Sequence, residues 1–98
     1  MEKLDGKVAL VTGSSRGIGL AIATELAASG ARVMLSSRKA DALEAAVQGI
    51  DGDAAWTVAN AGEPDQAEAC VDATIERFGV LDILVNNAAT NPLSLIHI

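Results

Sequence analysis

Residues 13–19, Gly13-Ser14-Ser15-Arg16-Gly17-Ile18-Gly19, follow an apolar run ending in Thr12 and lead into an Ala- and Leu-rich stretch. Three glycines at this spacing let a backbone turn tightly and come close to a pyrophosphate. A helix opening behind them offers unpaired N–H donors and the positive end of its dipole to the same phosphates. The segment also reads as an ordinary glycine-rich turn between a strand and a helix. A phosphate loop of the NTPase type is excluded, because no Lys-Ser or Lys-Thr follows the last glycine. A second polar cluster, Asn86-Asn87-Ala88-Ala89, follows another apolar run.

Other reactive side chains are few. The chain has no tyrosine, one cysteine (Cys70) and one histidine (His97), the last in an apolar tail. A lone histidine makes a poor metal centre, so no metal is expected. A single cysteine cannot close an internal disulfide, which fits a reducing compartment.

The elements that must position these residues alternate along the chain. Lys7–Thr12 is a short apolar run between Gly6 and Gly13, read as a buried parallel strand. Gly17 to Ser29 reads as a helix closed by Gly30, Arg32–Ser36 as a strand, and Lys39–Gln48 as a helix with Leu43, Val47 and Ile50 on one face. Ala54–Val58 is a third strand. Asp65 then reads as a helix cap with Glu68 three residues on, and Ala67, Cys70, Val71, Thr74, Ile75 and Phe78 fall on one stripe before Gly79. Cys70 on that stripe is a small core residue and not a nucleophile. Asp82–Asn86 is a fourth strand, apolar on both faces. This β-α-β-α-β-α-β pattern predicts an α/β, Rossmann-like half-sheet of parallel strands in the order 3-2-1-4, with helices on both faces.

The 98 residues suffice for one small domain, and half of them are hydrophobic. The net charge is −6 and no basic run is present, so nucleic acid is not an expected partner. The first residues, MEKLDGKVALVTG, lack a long apolar segment. Neither a signal peptide nor a membrane span is expected, and the default location is the cytoplasm.

Thr12-Gly13-Ser14-Ser15-Arg16-Gly17-Ile18-Gly19 resembles the TGxxxGxG signature of the short-chain dehydrogenase/reductase family. Asn86-Asn87-Ala88-Ala89 resembles that family's NNAG, with Ala89 in place of the last glycine, and Phe78 to Val85 resembles the usual approach to it. The resemblance runs from about Leu4 to Pro92. It implies an oxidoreductase that moves a hydride between an alcohol or ketone and a nicotinamide dinucleotide. It also implies a homo-oligomeric parent. Gly13, Ser14, Ser15, Arg16, Gly17, Ile18 and Gly19 would hold the diphosphate and adenosine ribose. Asn60 stands where relatives often contact the adenine, and it also reads as a turn residue before Gly62. Asn87, with Ala88 beside it, would lie by the nicotinamide-side ribose or brace the adjoining strands.

An NAD site of this kind places an acid about 20 residues past the glycines, at the end of the second strand. Here Ser36-Ser37-Arg38-Lys39 holds that place. An arginine suits a 2′-phosphate and a carboxylate would repel it, so NADP(H) is expected over NAD(H), with Ser37 and Arg38 near the phosphate. The family resemblance implies that Arg16 lies near it too. Arg38 and Lys39 also read as the start of a solvated helix.

The family's catalytic Ser and Tyr-x-x-x-Lys motif have no counterpart in these residues, so no catalytic residue is assigned. The chain reads as a piece of an NADP(H)-dependent oxidoreductase, truncated after the fourth strand and inactive alone. The competing reading is a non-catalytic NADP-binding sensor or interaction module, and a flavin- or methyl-donor-binding domain fits poorly with both motifs together. Exposing the fourth strand predicts a marginal, association-prone domain. Residues 1–92 form the nucleotide-binding half-domain. Leu93-Ser94-Leu95-Ile96-His97-Ile98 completes no element, and one reverse translation, CTG TCT CTT ATA CAC ATC, matches a transposon-end adapter. Residues 93–98 are therefore expected to be non-native. Re-amplifying the locus from source DNA should replace these codons; a natural stop codon directly after Ile98 would refute the expectation.

Overall fold

The structure, a computed structural model, describes residues 4–60 and 63–87. Seven elements follow one another: β1 (Val8–Thr12), α1 (Gly17–Ala28), β2 (Arg32–Ser37), α2 (Ala40–Gln48), β3 (Ala54–Val58), α3 (Pro64–Phe78) and β4 (Ile83–Val85). The four strands are parallel and lie in the order β3-β2-β1-β4. β1 is central because its five residues are all buried, and only a strand covered on both faces can be apolar throughout.

Alternation along the strands divides the core in two. Ala9, Val11, Val33, Leu35 and Val85 face one side, where Ala23, Leu26 and Ala27 of α1 and Leu43 and Ala46 of α2 cover them. Leu10, Met34 and Leu84 face the other side, against Cys70 of α3 with Val71 and Phe78 beside it. The sheet is thus a middle layer with helices on both faces. Truncating a fully buried leucine such as Leu10 would cost about 2–5 kcal/mol, a large share of what a small domain holds.

Helix ends differ from the pattern-based expectation in detail. α1 stops at Ala28, where the Gly30 amide donates to the Ala27 carbonyl (3.0 Å) and the Ala31 amide to the Leu26 carbonyl (3.1 Å), the paired bonds of a Schellman closure. Lys39 is extended and precedes α2 instead of opening it. α3 begins at Pro64, so Asp65 lies inside the first turn and is not the cap. Proline at that place fits because the first helical N–H has no carbonyl to meet within the helix. Ile75, expected on the buried stripe, is 44% exposed. Cys70 and Thr74, both wholly buried, occupy the contact line instead.

β4 is shorter than expected, three residues instead of five. Asp82 lies outside the strand yet joins the pairing. Its amide donates to the Val8 carbonyl (2.9 Å), and its carboxylate accepts the Val8 amide (2.9 Å). Among the described residues no strand pairs with the other edge of β4, and no helix is long and apolar enough to cross a membrane.

Cys70 is wholly buried with its Sγ 3.0 Å from Ser36 Oγ, and burial pushes its thiol up from the ordinary range, against a smaller opposing effect of that contact. A folded pKa above the unfolded one supports the native state fully below the unfolded value, about 8.5, and the support is lost as pH rises through the folded value. The urea midpoint should therefore hold steady up to about pH 8 and fall above it, less so in Cys70→Ala. The thiol should react with a disulfide reagent on the order of a hundredfold more slowly in the native chain than in urea. Equal rates would contradict a core position.

Candidate functional site

The carboxyl ends of β1, β2 and β4 meet at one edge of the sheet. This edge is where the chain order reverses, with β2 and β3 on one side of β1 and β4 on the other. Such an edge is the usual place for a crevice in an open parallel sheet. The glycine segment leaves β1 here and turns directly into α1.

The turn is possible only without side chains at two points. Gly13 has φ +64°, in the left-handed region, and a Cβ on it would lie 3.2 Å from the Asn87 carbonyl oxygen. A Cβ on Gly19 would overlap the Gly13 carbonyl oxygen and come within 2.8 Å of Asn87 Nδ2. The first turn of α1 is therefore pressed against the exit of β1. Its leading amides, Gly17, Ile18 and Gly19, have no carbonyl ahead of them within the helix.

The end of α1 is left electrically positive. Its cap residue is Arg16, whose side chain has no acceptor; it makes no cap hydrogen bond, and no acid lies in the first turn. By contrast, α2 carries Asp41 and α3 carries Asp65 in their first turns, where a carboxylate offsets the dipole. Arg16, Arg38 and Lys39 are exposed, and Arg38 directly follows β2. The exposed side chain of Ile18, 73% accessible, lies at the same helix start.

Two polar clusters hold this geometry. The first joins β1 to β4: Thr12 Oγ1 accepts the Asn87 amide (2.9 Å) and bonds Asn86 Oδ1 (3.2 Å), while Asn87 Nδ2 donates to the Gly13 carbonyl (3.3 Å). Asn87 thus braces the strand ends beneath the loop. The second joins the loop to β2. Ser14 Oγ donates to the Val11 carbonyl (2.7 Å) and accepts the Ser36 amide (2.9 Å), and the Ser14 amide donates to the Ser36 carbonyl (3.0 Å). Ser14 is fully buried, so alone in the segment its side chain works wholly inward. Ser15 is half-buried beside it.

The remaining candidates lie around this edge. Ser37 ends β2, and its Oγ accepts the Lys39 amide (3.2 Å). Asn60 follows β3; its amide donates to Gln66 Oε1 (2.6 Å) and its carbonyl accepts the Glu63 amide (2.9 Å), which makes it part of the turn into α3. Ala88, Gly62 and residues 93–98 lie outside the described residues. Thr12, Ser36 and Asn86 carry bonds that the reading of the residues left unassigned. Thr12 and Asn86 stood in the quoted motifs, so their polarity at strand ends was a usable signal. Ser36 gave none, since a serine inside a strand says nothing about its partner. Among the described residues no group of three His, Cys, Asp or Glu side chains could hold a metal ion.

Comparison with known proteins agrees with this geometry. The family model described as short chain dehydrogenase matches residues 7–97. An uncharacterized oxidoreductase of Methylorubrum extorquens is 43% identical over 99% of this chain and 41% of its own length. A granaticin polyketide synthase putative ketoacyl reductase of Streptomyces violaceoruber is 49% identical over 83% of this chain and 31% of its own. A short chain dehydrogenase from Burkholderia cenocepacia, solved in complex with NADP, superposes with a TM-score of 0.81 at 48% identity, covering 88% of this chain and 37% of that one. The chain thus spans between about a third and two fifths of the length of these relatives. A parallel sheet in the order 3-2-1-4, a glycine turn pressed under a helix, and a family match over most of the residues lead to one conclusion: this chain belongs to the short-chain dehydrogenase/reductase family.

Proposed function

We propose that this chain is the cofactor-seating part of a cytoplasmic, homo-oligomeric oxidoreductase that transfers a hydride between NADP(H) and an alcohol or ketone. The observation that carries the reading is the uncapped, acid-free start of α1 behind a turn that excludes Cβ atoms. That combination is an anion seat: backbone amides point outward, the dipole favours negative charge, and nothing in the first turn competes.

The residues fit a dinucleotide diphosphate. In this reading Gly13, Ser15, Gly17, Ile18 and Gly19 lie along the diphosphate, with the leading amides of α1 as donors. Arg16 and Arg38 flank the adenosine end, where a 2′-phosphate would meet two cations and no carboxylate, and Ser37 adds a hydroxyl. Asn60 lies toward the adenine, and Asn87 and Ala88 toward the nicotinamide side. The Burkholderia relative holds NADP, which supports the choice of cofactor. When bound, the nicotinamide supplies the hydride. The proton that accompanies it is assigned to no residue here, because the 98 residues contain no tyrosine.

Titration with NADPH and NADH, followed by cofactor fluorescence, tests the reading. Arg38→Asp should weaken NADPH about 10- to 100-fold, as loss of a charge-assisted hydrogen bond with added repulsion requires, and leave NADH within about twofold. Gly19→Ala should weaken both together, because the overlap with Gly13 displaces the shared turn. Equal losses for both cofactors in Arg38→Asp would overturn the NADP(H) preference. Absence of binding to the unaltered chain would overturn the seat itself.

A further inference from the structure

An NADP(H) seat must hold two anionic groups at a set separation: the diphosphate at the start of α1 and the 2′-phosphate at the end of β2. In this chain the two places belong to different elements, and one buried side chain ties them. Ser14, fully buried, sits one residue past Gly13 and reaches both strands. Its hydroxyl proton goes to the Val11 carbonyl of β1 at 2.7 Å, and its oxygen takes the Ser36 amide of β2 at 2.9 Å. Its own amide completes the link to the Ser36 carbonyl at 3.0 Å. Ser37 and Arg38 follow Ser36 immediately. The residues opposite in the sheet, Thr12 and Ser36, are the last paired couple of β1 and β2. Ser14 therefore continues the β1–β2 pairing past the point where Gly13 turns the chain away.

We propose that Ser14 is a positioning residue that fixes the distance between the diphosphate loop and the Ser37-Arg38 arm, and through it the affinity for the whole dinucleotide. The inference rests on the NADP(H) reading above. A dinucleotide gains from two seats only when their separation matches its own length, since the second contact is then intramolecular and costs little further freedom. Removing the Ser14 hydroxyl leaves the Ser36 amide buried without its acceptor, and the strand end must shift to find another. Each seat survives such a shift. Their spacing does not.

The neighbouring serine supplies a matched control. Ser36 Oγ points away from the loop to Cys70 Sγ at 3.0 Å, so Ser36→Ala removes a buried hydroxyl from the same region and leaves every bond of Ser14 in place. Two ligand-binding measurements on the full chain decide the matter, each made on the unaltered chain, Ser14→Ala and Ser36→Ala: NADPH by fluorescence, and 2′-AMP, which reaches only the arm, by NMR titration. Ser14→Ala should weaken NADPH about tenfold and leave 2′-AMP within about twofold. Ser36→Ala should leave both ligands within about twofold. The inference is overturned if Ser14→Ala binds NADPH as the unaltered chain does, if it loses 2′-AMP in equal measure, or if Ser36→Ala weakens NADPH as much.

Amide hydrogen exchange in the unaltered chain gives a measurement independent of how Ser14→Ala folds. NADPH should slow exchange of the Ser36 amide, relative to the core amide of Leu10, about tenfold more than saturating 2′-AMP does. Equal slowing by both ligands would overturn the inference. Failure of the unaltered chain to bind NADPH would instead remove the seat, so the two ideas fail by different observations.

Discussion

The start of α1 lies against the exit of β1 more closely than any side chain permits. The gap between Gly19 and the Gly13 carbonyl has no room for a Cβ, and Asn87 closes it from the side of β4. Everything else at this edge follows from that contact. Because the helix begins so near the sheet, its unpaired amides open at the carboxyl ends of β1 and its neighbours. Because the Arg16 side chain cannot act as an acceptor, those amides receive no side-chain cap.

A contact this close demands a rigid footing, and the two-faced core provides it. β1 is covered by α1 on one side and by α3 on the other, while α2 covers β2 and β3, so the five buried residues of β1 are held in one register. Thr12 then reaches across to Asn86 and Asn87, and Ser14 to Ser36. These bonds are buried or partly buried, where an unmet polar group costs about 1–3 kcal/mol, so the strand ends cannot drift apart without penalty. Asp82 does similar work at the opposite end of β4, where a carboxylate takes the place of a strand carbonyl for Val8.

Charge separates the three helix starts. α2 and α3 offset their dipoles with Asp41 and Asp65, as solvated helices do. α1 is left bare and is flanked instead by cations, with Arg38 and Lys39 at the end of β2. The net charge of −6 hides this contrast, because the acids lie elsewhere along the chain. Local field, and not overall charge, distinguishes the candidate site.

Periodicity and glycine spacing in the sequence alone determined the seven elements, their parallel order and the place of the glycine turn. Those features depend on neighbours close in the chain: apolar runs of strand length, stripes of helical period, and glycines where the backbone must turn. Cys70 was legible as core for the same reason. Element ends were less legible, since Asp65 and Pro64 compete for the start of α3 and only packing decides which turn comes first. Ile75 fitted the apolar stripe yet stays half in solvent, because a stripe records spacing and not the width of the surface it meets. Only the tertiary structure decided that Ser14 faces inward to Ser36, that Asn87 braces Gly13, and that Asp82 pairs with Val8. Each of these joins residues 22 to 74 positions apart, and side-chain hydrogen bonds over such distances leave no period or spacing to read.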